Sequence, residues 1–165
     1  MKLETLNRAD SDHFVELLDG VFEHAPWIVK KIDHLRPFSS IDTLFRAIAS
    51  ALTTASYEQK EALINAHPRL GSSGKMTERS TREQQQAGLQ NMEEEEATAF
   101  AKLNADYEKR FDLPFIMAVR GKTKSEIYAA MEKRIHNTKK KEFETAIDEI
   151  LKITRFRLDD LLHEE

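Results

Sequence analysis

The sequence contains no cysteine. A disulfide framework, thiolate catalysis and cysteine-ligated zinc are thereby excluded. Glycine and proline are scarce, five and four among 165 residues. β-Rich domains need more turn-formers than this, and the 33% charged fraction fits a helical protein with a solvated surface. No apolar run approaches the ~18–20 residues of a membrane span. Met1–Asp10 lacks the basic-then-apolar form of a signal peptide, and the final Leu161-Leu162-His163-Glu164-Glu165 is not a peroxisomal tripeptide. The expectation is a cytoplasmic protein without a membrane partner. Positive charge is not in excess either: the net charge is −4, so no general attraction to nucleic acid is expected. A chain of 165 residues suffices for a single domain, spanning 1–165, that buries about two-thirds of its unfolded surface and encloses a pocket.

What is present is helical periodicity. Between Ser11 and Phe22, apolar residues fall at Phe14, Leu17, Leu18, Val21 and Phe22, one stripe of an amphipathic helix with Asp10 or Ser11 as N-cap. Pro26 opens a short helix through Ala25–Ile32, where a first-turn proline is tolerated. Trp27 reads as a core residue. Leu44, Phe45, Ile48, Ala49 and Leu52 repeat the stripe, and Ser56 with Gln59 forms a capping box for a helix ending near Ala66. Residues 67–79 carry the longest loop signal, with Gly71, Ser72, Ser73 and Gly74 in succession. Ser80 and Glu83 form a further capping box, opening a long helix whose apolar face runs through Leu89, Met92, Phe100, Leu103, Tyr107 and Phe111.

Leu113–Gly121 breaks the pattern. It is apolar from Pro114 onward, too short for a helix of its own, and reads as a buried extended segment. Thr123 with Glu126 caps the next helix, to about Asn137, and a last helix carries Phe143, Ile147, Ile150, Leu151, Leu158 and Leu161 on one side. The expected architecture is all-α, about six to eight helices with one extended interruption. That interruption matters. Its backbone N–H and C=O groups have no helix to satisfy them and must find other partners, of which a polar ligand is one.

Few residues stand where chemistry needs them. His67 ends a helix and precedes Pro68 in Ala66-His67-Pro68-Arg69-Leu70-Gly71. A histidine there either interacts with the last helix carbonyls or serves as a rigidly placed general acid or base. Ser80 and Glu83 either cap a helix or, with Gln84, face a polar ligand at its N-terminus. The run Glu93–Glu96 points in four directions on a helix and reads as a solvated face; Lys139–Lys141 reads as surface. The remaining histidines lack metal-ligand spacing, and no phosphate-binding loop, nucleophile elbow or dinucleotide fingerprint is present.

Taken in order, Ala66–Gly71, then Ser80–Leu89, then Leu103–Gly121 resemble the OHCU decarboxylases of urate breakdown, which act on 2-oxo-4-hydroxy-4-carboxy-5-ureidoimidazoline. The resemblance covers essentially the whole chain. It implies a small all-α homodimer that works without a metal or other cofactor on a small-molecule substrate and yields (S)-allantoin. It assigns the catalytic proton donor to His67. It assigns substrate binding to Pro68, to Ser80, Thr81, Arg82, Glu83 and Gln84, and to Phe115, Ile116, Met117, Ala118 and Val119. One departure is visible: Asp112-Leu113 stands where the family usually has Gly-Phe, which touches the turn before Pro114.

The residue types suit the reaction. The substrate's carboxylate-bearing carbon adjoins a ring C=N that accepts the electron pair left by carbon dioxide. The protein must orient the substrate, desolvate the carboxylate and deliver one proton to one face. A near-neutral histidine suits that delivery. Glu83 is expected to orient the imidazole or hold substrate hydroxyl and N–H groups, and Gln84 to bind an amide edge. Arg120 is a further candidate for the carboxylate or a surface residue. The rival classes are a helical interaction module, with His67 only a cap, and another small cofactor-free lyase or hydrolase.

Overall fold

The computed structural model describes residues 1–22, 25–68, 70 and 93–164. Eight α-helices lie among them: α1 (Leu3–Arg8), α2 (Ser11–Leu17), α3 (Pro26–Ile32), α4 (Ile41–Thr53), α5 (Tyr57–Ala66), α6 (Glu94–Phe111), α7 (Lys124–Arg134) and α8 (Lys139–Leu161). A 3-10 turn, Asp33–Leu35, follows α3. The only extended pairing among the described residues is an isolated bridge between Lys2 and His163. The fold is all-α, and none of the described helices is long and apolar enough to cross a membrane. The chain divides into two compact units, Met1–Leu63 with Leu151–Glu165, and Ile64–Ile150.

In the first unit α1 packs on α2, α2 on α3, and α3 on α4. Asp10 caps α2 by accepting from the His13 N–H at 2.8 Å, and Ser40 caps α4 through the Thr43 N–H at 3.0 Å. The α4 stripe buries Ile41, Leu44, Ile48 and Leu52, while Phe45 and Ala49 are half-buried. Helix α2 stops at Leu17 rather than reaching Phe22. The amides of Leu18 and Asp19 bond to Phe14 and Glu16 carbonyls, a tightened last turn running into Asp19-Gly20. Val21 and Phe22 are buried nonetheless, so the apolar spacing marks the core here without marking the helix end. Trp27 is half-buried rather than core, with the Lys31 ammonium 5.3 Å from its ring centroid. Arg36 fills a role that no local pattern announces. Its guanidinium donates to the carbonyls of Leu6 (3.2 Å), Asn7 (3.3 Å) and Ala9 around the C-terminal end of α1.

In the second unit α6 packs on α7. Glu94, Glu95 and Glu96 stand in the first turn of α6, where carboxylates favour the positive end of the helix. Glu96 pairs with Lys124 at 2.9 Å. Phe100, Tyr107 and Phe111 are buried and Leu103 is half-buried, so the periodicity of this helix is met where it is described. Gly71–Gly74, the Ser80–Glu83 capping box, Leu89 and Met92 lie outside the described residues. Helix α6 ends at Asp112, which takes the left-handed conformation at φ 55° and donates its N–H to the Glu108 carbonyl at 2.8 Å. Residues 113–119 then run without helix or strand partner among the described residues, with Leu113, Phe115, Ile116, Ala118 and Val119 buried. The segment closes in a turn with Lys122 N–H on the Val119 carbonyl at 3.0 Å, and Gly121 supplies the positive φ of 77° at its third position. Thr123 and Glu126 form the capping box of α7.

Candidate active site

His67 stands one residue beyond α5, half-buried, with its N–H on the Ile64 carbonyl at 3.2 Å. The helix ends here because Pro68 has no N–H to continue it and its ring disfavours a helical conformation for the residue before it. The His67 Nδ1 lies 3.3 Å from the Pro68 carbonyl oxygen, so a proton on Nδ1 donates to that carbonyl. Backbone and imidazole are therefore held together at the junction, an arrangement suited to a proton-transfer group. Pro68 is half-buried beside it.

The other predicted residues divide. Ser80, Thr81, Arg82, Glu83 and Gln84 lie outside the described residues. Phe115, Ile116, Ala118 and Val119 are buried, and Met117 is half-buried. Arg120 is half-buried in the turn after them. His67 and residues 115–119 belong to the same compact unit.

The unpaired backbone of the extended segment, expected to need partners, meets charged side chains. Arg134 Nη1 donates to the Ile116 carbonyl at 2.7 Å, and the Ala118 N–H donates to Glu149 Oε1 at 3.3 Å. Arg134 is itself held: its Nε donates to Glu142 Oε1 at 2.8 Å, within a pair whose side chains are 12% and 0% exposed. The same carboxylate accepts the Tyr107 hydroxyl at 2.5 Å and the Asn137 side-chain amide at 2.9 Å. Burial, followed by the hydrogen bond to Glu142, pushes the Tyr107 phenol well above its usual range, with Arg134 opposing. Aromatic packing completes the cluster. The Arg134 guanidinium lies 4.3 Å from the Phe115 ring centroid, and the Tyr107 ring meets Phe115 edge-on at 5.2 Å.

Sequence reasoning finds the segment and not this support. Tyr107 reads as one more apolar position, and Arg134, Glu142 and Glu149 lie on helices so rich in charge that three more charged residues draw no notice, while Asn137 lies in the break between them. The available signal is the short stretch Arg134–Glu142, in which an arginine at a helix C-terminus, an asparagine and a glutamate flank a helix break. A cleft of about 330 Å³ elsewhere in this unit is lined by Glu96, Ala99, Phe100, Lys124, Ser125 and Tyr128, none of them a predicted site residue. Among the described residues no group of three or more histidines or carboxylates is placed to hold a metal ion.

The OHCU decarboxylase family profile matches residues 7–159. The chain is 38% identical over 165 residues to the 2-oxo-4-hydroxy-4-carboxy-5-ureidoimidazoline decarboxylase of Haloferax volcanii, covering 100% of this chain and 98% of that one. It is 41% identical over 163 residues to the uric acid degradation bifunctional protein PucL of Bacillus subtilis, covering 99% of this chain and 33% of the relative. The chain thus spans a third of the length of that bifunctional protein. Among solved structures, an (S)-allantoin synthase superposes with a TM-score of 0.81 at 26% identity, covering 98% of this chain and 54% of that one. Profile, full-length relative and structure agree from one end of the matched region to the other, and the chain belongs to the OHCU decarboxylase family.

Proposed function

We propose that this chain catalyses the decarboxylation of 2-oxo-4-hydroxy-4-carboxy-5-ureidoimidazoline to (S)-allantoin in urate breakdown, as a single catalytic domain without metal or organic cofactor. The observation that carries the proposal is the match over residues 7–159, together with a full-length relative at 38% identity that bears the decarboxylase name. The ring C=N beside the scissile carbon takes up the electron pair as carbon dioxide leaves, so the protein has to place the substrate and control one proton. With Nδ1–H directed to the Pro68 carbonyl, Nε2 of His67 is the nitrogen that delivers the proton to the resulting carbanion. Glu83 and Gln84 hold the substrate's hydroxyl, ureido and amide groups beside Ser80, Thr81 and Arg82, and residues 115–119 form another wall. Burial of Phe115, Ile116, Ala118 and Val119 supports that wall as a dry surface, on which a carboxylate is poorly solvated. The assembly is a homodimer working in the cytoplasm; the net charge of −4 fits a partner that is a small molecule rather than nucleic acid.

The test is the handedness of the product. Urate, urate oxidase and the intervening hydrolase generate the substrate, and circular dichroism follows allantoin with and without this protein. The spontaneous reaction is open on both faces and gives a racemate. A hundredfold excess of one hand needs only about 2.7 kcal/mol between competing transition states, within reach of one fixed donor in an enclosed site. The expected result is faster appearance of the S form, with turnover lowered about 10²–10⁴-fold in a folded His67→Asn protein. An accelerated but racemic reaction would remove His67 from the donor role, and no acceleration would remove the function.

A further inference from the structure

Resting on the proposed function, we infer that Arg134 is a positioning residue of the site, holding the main chain of residues 115–119 in the shape that lines the substrate pocket. An extended segment inside a helical protein has no neighbouring strand to set its course, and none is present among the described residues. Its shape is set instead by side chains from α7 and α8. Arg134 grips it twice, at the Ile116 carbonyl (2.7 Å) and over the Phe115 ring (4.3 Å), and Glu149 takes the Ala118 N–H at 3.3 Å. Arg134 is in turn locked by Glu142, and Glu142 by Tyr107 and Asn137.

The cluster's make-up argues for placement over stability. A buried ion pair contributes little net stability compared with apolar side chains of the same volume. Among the described residues the buried Arg134 Nη2 has no hydrogen-bond partner, so the guanidinium is not oriented toward them to satisfy all its own donors. What its orientation does satisfy is the carboxylate through Nε, the carbonyl through Nη1 and the aromatic face through its plane. Only a flat fork does all three at once; an ammonium has neither the plane nor the second fixed donor.

Arg134→Lys is therefore the discriminating substitution, since it keeps the charge beside Glu142 and loses the fork. Steady-state kinetics, product handedness and amide hydrogen exchange are read on wild type and variant in parallel, per folded molecule. The expected result is a drop of about tenfold in kcat/KM, a partial loss of the handed excess, and exchange at peptides covering 113–121 faster by about tenfold while α6 peptides are unchanged. If Arg134→Lys does not fold, the double variant Arg134→Met with Glu142→Leu replaces the pair by apolar side chains and carries the same measurements. Unchanged kinetics and handedness in a folded variant overturn the inference, as does a general rise in exchange across the unit. Failure of both variants to fold assigns the pair to stability alone and overturns it too. A wild-type chain that does not accelerate decarboxylation overturns the proposed function and this inference with it, whereas an active wild type beside an equally active variant overturns the inference only.

Discussion

At the scale of single residues, His67 is readable from sequence because its neighbours restrict it. Proline after it ends α5, and a histidine at a forced helix end is unusual enough to draw attention. Tyr107 is the opposite case, a polar group inside an apolar stripe whose partner lies 35 positions away, at Glu142, where no periodicity reaches. Its chemistry makes a direct prediction. Burial and the carboxylate raise the phenol's pKa in the folded chain, so the neutral form is favoured by folding. That contribution is fully present below the ordinary tyrosine value of about 10 and is lost as pH rises through the higher folded value. In an alkaline titration followed by tyrosinate absorbance, at most two of the three tyrosines should ionise while helical circular dichroism persists. The delayed step should coincide with unfolding and vanish in Tyr107→Phe. Three tyrosines titrating in the folded protein would contradict the buried bond.

At the scale of elements, starts are more legible than stops. The capping pairs Ser56–Gln59 and Thr123–Glu126 lie where the sequence places them, because a cap is a contact between residues three apart and needs no tertiary knowledge. Ends depend on what the chain meets next, which is why α2 stops short of Val21 and Phe22 and α7 stops at Arg134, before Asn137. Asp112 shows an end with a visible cost. It occupies a left-handed position at φ 55°, and its carboxylate sits at the negative end of α6. Both effects disfavour aspartate, and glycine, usual here in the family it resembles, escapes both. Asp112→Gly is expected to stabilise the chain by about 1 kcal/mol, a rise of about 2–4 °C in Tm, with Asp112→Asn recovering only the charge component. Thermal unfolding of the three proteins decides it; a glycine variant less stable than wild type would show that the aspartate side chain makes a compensating contact.

At the scale of the molecule, composition foretells the all-α class, since scarce glycine and proline leave few routes to sheet. The pairing of distant parts is not foretold. In the first unit Glu164 accepts the Ile41 N–H at 2.8 Å and Arg155 meets Asp42 at 3.2 Å, contacts across more than a hundred positions that no local pattern encodes. The predicted reaction also has a whole-molecule consequence, because the electron sink belongs to the substrate. Activity should survive exhaustive dialysis against a chelator, and loss restored by a divalent ion would require a different mechanism. The extended segment carries a last consequence, for inheritance. On the proposed reading the buried Phe115, Ile116, Ala118 and Val119 set the outline of the wall, so drift at the half-buried Met117 can leave that outline intact. Arg134 and Glu149 have less freedom, because they hold the Ile116 carbonyl and the Ala118 N–H, and Glu142 has less because it holds Arg134. The constraint that descent places on this site therefore falls on residues standing behind it.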